Sequence, residues 1–170
     1  MLFLLDQVDD NPYFRIAGVP PDQLQATQPP MVAGRTLATD AKDEALLGER
    51  AASQLGAKVG ERVTLGGQAF TVVGIFKTGH LWQDSGAIVP LATIQAATGR
   101  QGLLNLVYLR LKPGADLQTV AKDIEGQYPY LRGVSGSVDY LDLIPTLQVV
   151  SALNVGVSVL AIVIGGLGVL

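Results

Sequence analysis

The chain has 170 residues with a formal net charge of −3, and its Lys and Arg are scattered singly. No basic stripe interleaved with aromatics appears, so nothing points to a nucleic-acid partner. With no cysteine, disulfides and thiolate metal sites are excluded at once.

In chain order, residues 1–19 read as a hairpin. Apolar Met1–Leu5 and Tyr13–Val19 are joined through Asp9-Asp10-Asn11-Pro12, a turn cluster. Pro20-Pro21 ends it, and Pro29-Pro30 marks an irregular stretch reaching Gly34. Ala45-Leu46-Leu47 is a short buried strand; Leu47, Ala51 and Leu55 then repeat at helical spacing, with Gly56 at a left-handed C-terminal cap. Glu61–Leu65 and Gln68–Phe76 flank Gly66-Gly67, which predicts a tight hairpin with a primed turn. Gly86–Val89 is a further apolar strand, Pro90 opens a helix through Ile94, and Gly99 closes it. Leu103–Leu111 reads as a longer strand. After Pro113-Gly114, Asp116 is an N-cap, and Leu117, Val120, Ala121 and Ile124 fall on one helical face. Strands and helices mixed with hairpins predict an α+β domain and not a doubly wound parallel sheet.

The run Val149–Leu170 carries no charged side chain, and no Asp, Glu, Lys or Arg follows Asp142. Since roughly 20 apolar residues cross a hydrocarbon core about 30 Å thick, this predicts a transmembrane helix, with a buried core helix as the alternative. Ala152, Gly156, Ala161, Gly165, Gly166 and Gly168 supply small positions for packing against other membrane helices. Asn154 is a lone polar group suited to an interhelical hydrogen bond, and Pro145 belongs in the helix's first turn. The flank Gly133–Gln148 has no Lys or Arg, which reads as extracytoplasmic. Yet Met1–Leu5 is too short for an export signal and no basic region precedes it. The expectation is therefore an upstream span beyond this chain, against the alternative of a cytosolic domain with a tail anchor. Residues 1–144 form the extracytoplasmic domain in this reading, and residues 145–170 begin a truncated span.

Catalytic chemistry finds few anchors. The sole histidine, His80, could pair with Asp84 as base and orienting acid, but no Gly-x-Ser-x-Gly elbow accompanies them. The stretch Thr78–Asp84 reads instead as a mobile polar loop with an aromatic anchor, and His80 and Trp82 are candidate partner contacts. Asp9/Asp10 and Asp43/Glu44 read as solvated turn residues. A Gly-x-x-x-x-Gly-Lys-Ser/Thr loop is absent, and no ligand spacing for a metal is found. No catalytic residue, cofactor or metal is assigned to this chain, which reads as a non-enzyme.

The order of the pieces resembles a known family. Gly34-Arg35-Thr36-Leu37, Ala45–Ala52, Leu55–Glu61, the Gly66-Gly67 hairpin, Phe70–Phe76 and Ile88-Val89-Pro90-Leu91 together resemble the periplasmic core domain of MacB/LolC-type ABC transporter permeases. Leu160–Leu170 is similar to the start of the FtsX-like permease region. The resemblance implies a two-lobed α+β domain on the outer side of a bacterial inner membrane, belonging to an efflux or lipoprotein-release permease. It further implies a cytoplasmic ABC ATPase that binds ATP and Mg, a second permease, contact with membrane lipid, and an accessory periplasmic fusion protein. Whether the ATPase is fused or separate, and whether the dimer is homo- or heterodimeric, stays open. The alternative is a binding module held by one span without transport activity.

Overall fold

In the computed structural model the described residues are 1–131, apart from 10, 25–27, 108 and 110. They fall into two units, Met1–Tyr108 and the described part of Leu109–Leu170. The first unit runs β1 (Leu2–Val8), β2 (Asn11–Val19), α1 (Pro21–Leu24), β3 (Met31–Gly34), β4 (Glu44–Gly48), α2 (Glu49–Leu55), β5 (Arg62–Leu65), β6 (Gln68–Phe76), α3 (Leu81–Asp84), β7 (Gly86–Pro90) and α4 (Leu91–Ala97). Its strands form one mixed sheet in the order β1-β2-β7-β4-β6-β3, and β5 also pairs with β6. The β2–β7 and β4–β6 pairs are parallel and the others antiparallel. The α+β expectation holds, with parallel pairs at the centre of the sheet.

Alternation along the strands builds a core on each face. On one face Phe14, Ile16, Ala45, Leu47, Val72, Ala87 and Val89 pack with Ala51 and Ala52 of α2 and Ile94 of α4. On the other, Leu46, Val73 and Phe76 pack with Leu24 and Leu37, and Ile88 joins them. Among the described residues the second core stops short of β1, so Phe3, Leu5, Tyr13 and Arg15 lie at the end of that sheet face, which α3 approaches through Trp82.

The β5–β6 hairpin forms as expected, with Gly66 at φ 59° and Gly67 at φ 77°. A two-residue primed turn needs positive φ at both positions, which glycine adopts without strain. Gly56 likewise caps α2 at φ 61°. Other expectations are revised. Pro12 lies inside β2 and not in the turn; it precedes the stretch that pairs with β7, so its missing N–H breaks no ladder there. Leu47 belongs to β4 and not to the helical run. The irregular stretch after Pro30 contains β3, which pairs with the end of β6. Thr78–Asp84 is not a loop throughout: Leu81–Asp84 is a single helical turn.

Among the described residues of 103–111 none is in a strand, contrary to expectation. Valine there has strand propensity, but a strand needs a ladder of backbone bonds, and this stretch meets the start of the chain through the Asn105 side chain on Phe3 and a single backbone bond, from the Leu106 N–H to the Met1 carbonyl.

In the second unit, α5 (Leu117–Gln127) starts where the sequence placed it. Asp116 accepts the Thr119 N–H at 2.8 Å and the Thr119 hydroxyl at 2.6 Å. Val120, Ala121 and Ile124 are half-buried, and no residue of the helix is fully buried. The expected span and its packing positions Ala152, Gly156, Ala161, Gly165, Gly166 and Gly168 lie outside the described residues, as do Pro145 and Asn154. Among the described residues no helix is long and apolar enough to cross a membrane.

Candidate partner-contact site

The end of the sheet face beyond the second core carries a cluster that starts from strand register. Leu5 on β1 stands opposite Arg15 on β2, and Phe3 stands opposite Ala17. Phe3 and Arg15 are thus diagonal neighbours on one face, within reach of long side chains. Arg15 in turn pairs with Gly86 of β7. A Cβ on Gly86 would lie 2.8 Å from the Arg15 carbonyl oxygen and 2.9 Å from its Cβ, so only glycine lets the two strands approach here.

Trp82 completes the cluster from α3. The Arg15 guanidinium carbon lies 4.1 Å from the Trp82 ring centroid and 5.1 Å from that of Phe3. The two rings are nearly parallel, 15° apart, with centroids separated by 6.3 Å. Each ring presents its negative face to the cation, which fixes the orientation of both rings. Trp82 remains 53 % exposed, Leu81 beside it 61 %, Leu5 56 % and Tyr13 73 %. The result is a mainly apolar surface with a cation held among aromatic rings. Aromatic and Arg side chains in that setting are the residues that anchor protein interfaces.

The turn that presents Trp82 is fastened by Asp84, the buried charged residue of this region. Its Oδ1 accepts the Thr78 N–H at 2.7 Å and the Thr78 hydroxyl at 2.8 Å, and Oδ2 accepts the Gly79 N–H at 3.1 Å. Burial is the largest single influence on the carboxyl and pushes its pKa up. The hydrogen bonds from Thr78 and Gly79, helped by the nearby Lys77 charge, together outweigh it, and the pKa ends below the ordinary value. Against this turn packs Gly48, where a Cβ would lie 2.3 Å from the Asp84 carbonyl oxygen. Lys77 reaches Glu49 of α2 at 2.7 Å and ties the start of the turn to the helix.

Of the two residues expected to contact a partner, Trp82 is therefore in the cluster. His80 is exposed, and its backbone N–H donates to the Thr78 hydroxyl at 3.1 Å. The His80–Asp84 acid–base pairing is not formed, because the Asp84 oxygens are given to Thr78 and Gly79. The acidic pairs also separate in role. Asp9 is an exposed turn residue at φ 50°, whereas Glu44 opens β4 and accepts both Arg35 guanidinium nitrogens and the Ala38 N–H. The Arg35 hydrogen bonds hold Glu44 below the usual carboxylate range. Among the described residues no three or more His, Asp or Glu side chains converge as a metal site. Sequence reasoning passed over Phe3 and Arg15; the available signal was Arg15 alternating with Tyr13 and Ala17 on one face of a strand that is otherwise apolar.

Residues 5–127 match the family described as MacB-like periplasmic core domain. This chain belongs to that family. One solved structure shares the fold, and two more are similar over part of the chain. The periplasmic region of MacB from Actinobacillus actinomycetemcomitans superposes with a TM-score of 0.54 at 13% identity, over 74% of this chain and 60% of that one. The extracellular domain of the noncanonic ABC-type transporter YknZ from Gram-positive bacteria gives a TM-score of 0.46 at 20% identity, covering 58% of this chain and 55% of that one. A domain of a putative permease protein from Porphyromonas gingivalis gives 0.43 at 18% identity, covering 82% and 77%. The chain thus spans about 60% of the length of the MacB periplasmic region it matches. No curated protein matches it in sequence. Within the MacB-like core domain, the Phe3–Arg15–Trp82 cluster lies at the end of the sheet formed by β1 and β2.

Proposed function

We propose that this chain is the extracytoplasmic core domain of an ABC transporter permease, together with the start of the membrane helix that follows it. The observation that carries this reading is the family match over residues 5–127. It is supported by the charge-free run Val149–Leu170 placed directly after the domain. In this proposal the domain works by mechanical coupling. Helix motion driven by a cytoplasmic ATPase, where ATP and Mg act, tilts the membrane helix that begins near Pro145 and thereby moves the domain. A partner outside biases that motion only by binding one state better than the other.

The Trp82–Arg15–Phe3 surface, with His80 at its margin, is the proposed contact for an extracytoplasmic protein such as a fusion protein or cargo. A second permease completes the assembly, and residues 1–144 lie outside the inner membrane. The efflux and lipoprotein-release roles both fit this scheme. The test is to recover the full-length locus, tag its product and purify it from membranes. An ABC ATPase in the eluate is the expected result; a product that extracts from membranes without detergent and carries no ATPase overturns the proposal.

A further inference from the structure

Residues of an edge strand alternate between bonding the neighbouring strand and facing away from it. On β1, Phe3 faces away from β2: its N–H donates to Asn105 Oδ1 at 2.7 Å, and its carbonyl accepts from Asn105 Nδ2 at 2.6 Å. Leu5 and Gln7 share that outward edge, and the Gln7 N–H is held by Asp6 Oδ1 at 2.9 Å. Side chains thus close the rungs on either side of Leu5. The rung between them has room for one residue of backbone.

Leu5 borders a cleft of about 320 Å³ between β1, the β5–β6 turn and the end of α4. That is the lower end of the range for small-ligand sites, about 300–1,000 Å³. Leu4 and Ala97 give the cleft an apolar wall, and Asp6 and Arg100 bring opposite charges to it. Asp6 cannot swing away, because its Oδ2 accepts the Gly66 N–H at 2.8 Å while Oδ1 holds Gln7. Each carboxylate oxygen keeps a second lone pair for a ligand. Arg100 does not pair with Asp6, and its guanidinium has no hydrogen-bond partner among the described residues. Thr98 donates its hydroxyl to the Ile94 carbonyl at 2.7 Å, so towards the cleft it can only accept.

We propose that this cleft binds a free α-amino acid with an apolar side chain. Such a molecule carries its nitrogen and its carboxylate on one carbon, as a strand residue carries its N–H and C=O. It therefore completes the Leu5 rung: its nitrogen donates to the Leu5 carbonyl, and one carboxylate oxygen accepts the Leu5 N–H. The rest of the ammonium goes to Asp6 and Thr98, and the second carboxylate oxygen goes to Arg100, as charge-assisted bonds. Two opposite charges kept apart across a small cleft select a ligand that carries both. The closed rungs at Phe3 and Gln7 stop a longer peptide from continuing along β1, which favours a single residue over an extended chain.

The test is isothermal titration calorimetry on the full chain in detergent, with leucine as the probe. Leucine is expected to bind one to one. N-acetyl-leucine lacks the ammonium and leucinamide lacks the carboxylate, so each is expected to bind about tenfold or more weakly, the equivalent of one charge-assisted bond. Arg100 is exposed, so Arg100→Gln should fold normally. It is expected to bring leucine down to the level of leucinamide and to leave leucinamide unchanged. Hydrogen exchange on the unaltered chain locates the binding: leucine slows the Leu5 amide and leaves the Phe3 amide as it was. No heat with leucine, equal binding of the acetylated form, an Arg100→Gln variant that binds leucine as before, or an unchanged Leu5 amide each overturns the proposal. Binding of the acetylated form alone would assign the cleft to a peptide C-terminus and overturn it as well. These readouts are local to the cleft and stand or fall separately from the presence of an ATPase.

Discussion

Asp84→Asn tests whether one buried carboxylate holds the turn that presents Trp82. Asn can still offer Oδ1 to the Thr78 N–H and hydroxyl, but its amide nitrogen takes the place of the oxygen that receives the Gly79 N–H at 3.1 Å. A donor then faces a donor, and two charge-assisted bonds become neutral ones. Losing a hydrogen bond to a charged group costs about 1.5–3 kcal/mol. Gly79 is exposed and water can take over its N–H, which places the expected loss at the lower end, about 1.5–2 kcal/mol. For a unit of this size that lowers Tm by roughly 7–9 °C.

Trp82 is the only tryptophan, so its emission during thermal unfolding reads the turn directly. The pH dependence gives a second readout. The folded-state pKa of Asp84 lies below the ordinary value of 3.8, so its stabilisation is complete above that pH and is lost as pH falls through the folded value. The gap between native protein and variant should therefore be full at neutral pH and close on acidification below 3.8. A variant as stable as the native protein at neutral pH, or a gap that persists unchanged in acid, would refute the role given to Asp84.

Other substitutions probe the surroundings. Gly48→Ala drives a Cβ to 2.3 Å from the Asp84 backbone oxygen, which cannot swing aside, and should cost about 1–3 kcal/mol in urea unfolding. Glu44→Gln should weaken the clasp on Arg35 and Ala38 by about 0.5–1 kcal/mol, since Arg35 itself is largely exposed. Because Glu44 is held below its ordinary 4.5, native protein and variant should converge as pH drops below that value. Trp82→Ala removes an exposed ring stacked on Arg15 and should change stability by no more than about 1 kcal/mol. Its expected effect is on capture of the extracytoplasmic partner in pull-downs of the full-length protein; undiminished capture removes Trp82 from the contact surface.

Short-range chemistry was legible in the chain itself. The Gly66-Gly67 turn, the Gly56 cap and the Asp116 cap each depend on a few neighbouring residues, because positive φ and a side-chain acceptor are local requirements. The order of such pieces was also enough to bring out the family resemblance. What the sequence could not decide by itself was which distant backbones meet. The apolar run after Leu103 has the composition of a strand, yet the structure gives β1 an amide side chain as its neighbour. His80 and Asp84 sit at a spacing that suits catalysis, yet burial turned the acid inward to Thr78 and Gly79. Arg15 is an ordinary exposed strand residue until the β2–β7 pairing and the turn after Lys77 bring Trp82 over it. Strand partnership and burial are long-range properties, set when one element excludes water from another, so the contact surface comes into view only in the folded molecule.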